Sequence, residues 1–182
     1  MKTRDLALTA VMAALMCLTG MILRFQQALV PFSILPVLVY LAGLILGAQY
    51  GALAMFVYVF LGLLGLPVFA SAPFAGFAYI FKPTFGFLIG YIAAAYVVGL
   101  IYRRGNIWSS AFATLTGLAV LYLFGLVYLY GVLNWYMHVP TGIGKTLAIG
   151  FTPYILPDLL KAAIAVWVGN EVAKRRTTPA AP

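Results

Sequence analysis

The chain of 182 residues is 65% apolar and only 8% charged, with a net charge of +8 and a mean hydropathy of +1.07. A soluble domain is usually about half apolar and about a quarter charged, so this composition excludes a soluble enzyme, a secreted domain and a disordered chain. It predicts a membrane protein with several spans. The basic excess indicates cytoplasmic loops rather than a nucleic-acid-binding surface.

Apolar runs separated by charges, glycine and proline predict six transmembrane helices in one membrane domain, residues 1–182. The predicted helices are about 5–23, 34–47, 51–66, 84–102, 108–133 and 154–173. A basic and then flexible tail follows at 174–182. The first helix is expected to be retained, because no A-x-A cleavage pattern follows it.

Three connections are too broken by proline or polar residues to be regular helices: 24–33, 66–83 and 134–153, the last with a short helical piece at 144–150. The positive-inside rule favours two cytoplasmic termini. Seven basic residues then lie inside: Lys2, Arg4, Arg103, Arg104, Lys174, Arg175 and Arg176. Three lie outside: Arg24, Lys82 and Lys145. All three connections also lie outside. Irregular backbone at membrane depth is tolerated only where protein buries it or where it lines a cavity, so the three connections predict a lidded pocket that opens to the outside.

One acid–base pair stands in the last predicted helix. Asp158 and Lys161 are three residues apart and share a helix face, and Pro157 suits a first helical turn. Ionisable residues inside a membrane helix usually face a cavity or one another. Two interpretations stay open. The pair either holds the helix in the bundle or forms a site for a ligand that has both N–H donors and a carboxylate.

Two further patterns have both a structural and a functional interpretation. Aromatic residues are frequent in the irregular connections. They are either residues of the aromatic belt at the membrane interface or walls of a pocket. They are Phe74, Phe77, Tyr79, Trp135 and Tyr136. A stripe of small residues, Ala7, Ala10 and Ala14, lets the first helix pack closely, within the bundle or against another membrane protein.

Other chemistry finds little support in the sequence. Cys17 and His138 are the only cysteine and the only histidine in the sequence, so no metal site is expected. The sequence also contains no recognisable pair of a nucleophile and a base that would indicate an enzyme. The run GIGKT at 142–146 has Val139 where a P-loop needs its first glycine. Any ATPase that drives this protein must therefore be another chain.

Three stretches make the sequence resemble the BioY family, the biotin-binding S components of energy-coupling factor (ECF) transporters. They are LAGLILGAQYGALAMFVYVFLGLLGLPVFA at 41–70, KPTFGFLIGYIAA at 82–94 and PYILPDLLKAA at 153–163. Together with the six apolar helices, the similarity spans most of the chain. SAPFAGFAYIF at 71–81 replaces a usually Gly-rich segment. KPTFG at 82–86 stands where Gly-Pro-Thr-Gly-Gly is common, which adds a cation and the bulk of Phe85.

The resemblance implies an S-component-like bundle in the cell membrane that captures biotin at an outward-facing pocket. It would work with a transmembrane T component and two cytoplasmic ATPases, without a cofactor, a metal or nucleic acid. Biotin suits the residues, because its ureido N–H groups match Asp158 and its carboxylate seeks a cation such as Lys161. The other candidate ligand contacts are Tyr79, Lys82, Phe74, Phe77 and Trp135. The stripe of Ala7, Ala10 and Ala14 resembles the motif that contacts the T component.

Three alternatives remain at this stage. The departures at 71–86 leave open a related vitamin acid such as lipoate. A solitary secondary carrier would need a coupling-ion path, which the scarcity of acidic residues disfavours. An intramembrane enzyme is disfavoured by the missing nucleophile–base pair.

Overall fold

The structure is a computed structural model that describes residues 3–26 and 33–177. Within these residues all regular backbone is helical and no strand occurs. The seven α-helices are α1 (Thr3–Gln26), α2 (Leu35–Leu46), α3 (Ala48–Leu63), α4 (Phe85–Ile101), α5 (Ile107–Gly131), α6 (Ile143–Gly150) and α7 (Ile155–Thr177). A 3₁₀ helix spans Phe77–Phe81, and a π-helical turn, Val132–Tyr136, prolongs α5.

The six predicted helices correspond to α1 to α5 and α7, and their boundaries differ from the observed ones by at most four residues. The short piece expected at 144–150 corresponds to α6. Residues 27–32 of the expected 24–33 connection, residues 178–182 of the expected tail, and Lys2 lie outside the described residues.

The largest shift at a helix start concerns α3, which begins at Ala48 instead of residue 51. Gly47 alone makes the turn from α2 to α3, at a φ of +84° that few side chains tolerate. Gly51 is a buried residue within α3. At the far end α3 stops at Leu63, two residues before Gly65 with its φ of +110°.

Helix length separates two groups of apolar helices. Among the described residues, Thr3–Arg24 and Ile107–Tyr136 are long and apolar enough to cross a membrane, and α6 with α7 forms a third candidate span bent by 50°. The helices α2, α3 and α4 are apolar but have 12, 16 and 17 residues. At about 1.5 Å per residue these are shorter than a hydrocarbon core of about 30 Å. The count of six spans therefore stays a prediction.

Residues from six helices, α1 to α5 and α7, form one continuous core, among them Met16, Tyr40, Met55, Val98 and Leu121. Glycines allow the closest approaches between helices. A Cβ added at Gly99 of α4 would collide with the backbone of Gly47 and Ala48, so the turn between α2 and α3 packs directly on α4.

The two ends of the bundle differ in structure and charge. One end holds the start of α1, the short turns after α2 and α4, and the end of α7, together with Arg4, Arg103, Arg104, Lys174 and Arg175. We call it the basic end. The opposite end collects the irregular connections. That the basic end faces the cytoplasm is the prediction of the positive-inside rule.

Candidate ligand-binding site

A cavity of about 440 Å³ lies at the end of the bundle opposite the basic end. Its wall takes residues from all seven α-helices and from the connection between α3 and α4. Most of the wall is apolar, and it includes five tyrosines: Tyr58, Tyr79, Tyr91, Tyr122 and Tyr154. Small-molecule sites typically enclose about 300–1,000 Å³ and combine apolar walls with a few convergent polar groups. This cavity has both properties.

Asp158 and Lys161 form one polar centre in the wall. The Lys161 ammonium donates to Asp158 Oδ1 at 2.7 Å, and the hydroxyl of Tyr122 donates to Asp158 Oδ2 at 2.7 Å. The side chains of Asp158 and Lys161 are only 10% and 12% exposed. The two residues pair with each other and also line the cavity, so the structure is compatible with both interpretations, and ligand binding by the pair stays a prediction. We call Tyr122, Asp158 and Lys161 the Asp158 centre.

The start of α7 places Asp158 at the cavity. The bend of 50° between α6 and α7 brings the first turn of α7 to the cavity wall, and Asp158 N–H donates to Tyr154 O at 2.9 Å. A carboxylate in a first helical turn interacts favourably with the helix dipole. An ionised carboxylate has about four acceptor positions, and two bonds leave room for donors from a ligand.

Aromatic residues surround the Asp158 centre. The ring of Tyr122 packs edge-on against Phe87 and Phe151, with centroids 6.2 and 4.9 Å away. Tyr40 and Tyr91 come within electrostatic range of the Asp158 carboxylate. Tyr40 is fully buried, and its hydroxyl has no hydrogen-bond partner among the described residues.

Tyr40, Tyr91 and Tyr122 are not among the site residues predicted from the sequence. A usable signal was present, because Tyr40, Tyr91 and Tyr122 stand well inside apolar helices rather than at the helix ends where belt residues occur. A buried tyrosine hydroxyl usually finds a partner.

A second polar group lies in the connection between α3 and α4. The Lys82 ammonium donates to Ser71 Oγ at 2.9 Å and to the carbonyl of Ala72, and Ser71 Oγ lies 2.9 Å from Tyr79 Oη. Ser71 and Tyr79 line the cavity, whereas Lys82 is not among its lining residues and joins the group through its bond to Ser71. Burial lowers the pKa of the Lys82 ammonium from its usual value. We call Ser71, Tyr79 and Lys82 the Lys82 cluster.

The 3₁₀ helix Phe77–Phe81 decides which aromatic of the connection faces inward. Tyr79 is 5% exposed and packs on Phe69 with ring centroids 4.2 Å apart. Phe77, two residues earlier, is 64% exposed. Phe77, Phe74 and Trp135 are not among the described side chains that line the cavity. Their contact with a ligand stays a prediction.

The small-residue stripe of α1 lies on the surface of the chain. Ala7, Ala10 and Ala14 are exposed, whereas Ala13 and Met16 on the other face of α1 are buried. The stripe is therefore available to another membrane helix, although its partner stays a prediction.

The chain is similar to several proteins of known class. It is 37% identical over 147 residues to "Biotin transporter BioY" of Thermotoga maritima, covering 80% of this chain and 82% of that relative. It is 35% identical over 185 residues to "Biotin transporter BioY" of Rhizobium etli, with 94% of each chain covered. "Probable biotin transporter BioY" of Lysinibacillus sphaericus is 34% identical over 176 residues, covering 95% of this chain and 88% of that relative.

A crystal structure and a family model agree with these relatives. The S-component for biotin from an ECF-type ABC transporter superposes with a TM-score of 0.76, at 20% identity, and covers 96% of this chain and 95% of that one. This likeness confirms the predicted fold class, an all-helical bundle like that of an S component. The model of the BioY family matches residues 1–178. The chain is thus a multi-pass membrane protein that belongs to the BioY family.

Proposed function

We propose that this chain is the substrate-binding S component of an ECF-type vitamin importer in the cell membrane, and that it captures biotin in the cavity. The names of its relatives support transport rather than catalysis. One observation carries the proposal, namely the buried Asp158 carboxylate that lies in the cavity wall with acceptor capacity to spare.

Biotin fits the chemistry of the Asp158 centre. Its ureido N–H groups donate to the Asp158 carboxylate, and its ureido oxygen accepts from the adjacent Lys161 ammonium. Its fused rings pack against aromatic residues of the wall, which include Phe87 and Tyr91. The apolar wall buries the rings and the side chain, and the polar centre fixes their orientation.

Transport requires partners that this chain lacks. The P-loop-like run at 142–146 falls mostly within α6, so it is helix rather than a phosphate-binding loop. We propose that a T component and two cytoplasmic ATPases supply the energy and that the T component packs on the exposed stripe of α1. No group of three or more potential metal ligands occurs among the described residues.

Calorimetric titration of the purified protein with biotin tests the proposed site. Loss of a hydrogen bond to a charged group costs about 1.5–3 kcal/mol, so Asp158→Asn and Lys161→Met should each weaken binding at least about tenfold. Glu171→Gln and Lys174→Met are matched controls, since that pair has the same spacing at the basic end and is exposed. Parental affinity in both folded cavity variants would place the site elsewhere.

Two further measurements separate the alternatives. Lipoate lacks the ureido donors, so it should compete poorly with biotin for this cavity. Equal competition would make a different vitamin acid the substrate. Uptake of biotin by cells should stop when the T component and the ATPases are absent. Uptake that continues without them would indicate a solitary carrier.

A further inference from the structure

The cavity has two polar regions with different charge balance. In the Asp158 centre a carboxylate and an ammonium neutralise each other at 2.7 Å. The Lys82 cluster contains an ammonium whose hydrogen bonds go to neutral oxygens of Ser71 and Ala72. The chain has only three acidic residues, and each pairs elsewhere: Asp5 with Arg4, Asp158 with Lys161, and Glu171 with Lys174 and Arg175. The cation of Lys82 therefore has no acidic partner within the described chain.

Donors remain at the wall of this cluster. Ser71 and Tyr79 have two hydroxyl protons, and the bond between their oxygens uses one of them. Whichever residue donates, the other keeps a proton that it can donate to a ligand in the cavity. The Lys82 ammonium has three N–H groups, of which two are used by Ser71 and Ala72. A partly buried cation with spare donors favours an anion beside it, because charge-assisted hydrogen bonds are about twice as strong as neutral ones.

The cavity extends far enough along the α4 segment for an extended ligand. Thr84 and Tyr91 of the α4 segment both line the cavity, and seven residues of helix span about 10 Å. Thr84 is two residues from Lys82 in the sequence, and Tyr91 lines the same cavity as Asp158. An extended biotin, built from bonds of about 1.5 Å, is also on the order of 10 Å long.

We infer that the Lys82 cluster binds the carboxylate of the ligand and thereby selects a free acid over its uncharged amide or ester. The inference rests on the proposed function, because it takes biotin as the molecule whose ureido group occupies the Asp158 centre. It gives Lys161 the ureido end and Lys82 the acid end of the ligand.

Paired titrations with biotin and biotinamide test this assignment. The two probes have the same length, and only biotin has a negative charge. The parent protein should bind biotin at least tenfold more tightly. Lys82→Met should weaken biotin binding at least tenfold and leave biotinamide binding within about twofold, so binding of biotinamide also shows that the variant is folded. Lys82→Arg, which keeps the charge, should retain most of the preference.

Control variants address the other cations on the same side of the bundle. Lys145→Met removes an exposed cation of α6 and should not change the preference. If Arg24→Met abolishes the preference and Lys82→Met does not, the acid end lies at α1 and the inference is wrong. Equal affinity of the parent for both probes, lost in Asp158→Asn, would refute the carboxylate assignment alone. Failure of both probes to bind the parent would refute the proposed function and this inference with it.

Discussion

Replacing Tyr122 with phenylalanine should destabilise the protein by removing one hydrogen bond at the Asp158 centre. The hydroxyl donates to Asp158 Oδ2 at 2.7 Å, and the ring is 5% exposed. The substitution keeps the ring and its edge-on contacts with Phe87 and Phe151. What is lost is one donor to a buried carboxylate.

Tyr40 offers a matched substitution in the same region. Its ring is fully buried and its hydroxyl lacks a hydrogen-bond partner among the described residues, so Tyr40→Phe removes a polar group that contributes no bond. Replacing an unsatisfied buried hydroxyl is neutral or stabilising. Both variants delete one oxygen from a buried tyrosine near Asp158. They differ because only the Tyr122 oxygen makes a hydrogen bond.

The expected magnitudes can be measured by thermal unfolding in detergent, followed by tryptophan fluorescence. A hydrogen bond to a charged group contributes about 1.5–3 kcal/mol. For a chain of this size that corresponds to a decrease in Tm of about 3–12 °C for Tyr122→Phe. Tyr40→Phe should leave the Tm unchanged or raise it. Equal decreases in the two variants would show that packing, rather than the bond to Asp158, causes the loss.

Three other experiments test the predicted lid, the α1 stripe and the packing of α4. Biotin should slow hydrogen exchange in peptides from 66–83 and 24–33, and no change in either would show that these connections do not close over the ligand. The Ala14→Trp variant should bind biotin normally but fail to co-purify with the T component. The control variant Phe112→Trp, at an exposed side chain of α5, should still assemble. Loss of biotin binding in Ala14→Trp would indicate that Ala14 contributes to packing within the chain. Gly99→Leu should lower the Tm, because its side chain would collide with Gly47 and Ala48; an unchanged Tm would contradict that close packing.

The helices and the charged pair could be predicted because their signals are local. Hydropathy and the positions of glycine and proline define apolar segments, and an Asp and a Lys three apart share a helix face whatever the fold. The role of Tyr122 could not be predicted in this way. Its bond to Asp158 joins residues 36 apart, and it exists only because α5 packs against the start of α7.

The irregular connection between α3 and α4 shows a second limit. Phe77 and Tyr79 look equivalent in the sequence, but the 3₁₀ turn exposes the first and buries the second. The contact of Lys82 with Ser71 likewise depends on how eleven residues fold back on themselves. Such contacts follow from backbone paths that composition and periodicity do not determine.

The tight turn at Gly47 has a consequence for how firmly the two ends of the molecule are held. At the basic end the backbone of α4 touches that turn without intervening side chains, so this end can separate only at the cost of many packed contacts. At the cavity end the described connections from α3 to α4 and from α5 to α6 are longer and irregular, and regions of this kind open with the lowest local free energies. We therefore expect opening at the cavity end rather than at the basic end. Substitutions between residues 66 and 83 can change how fast a ligand enters and leaves without loosening the end where the helices are joined.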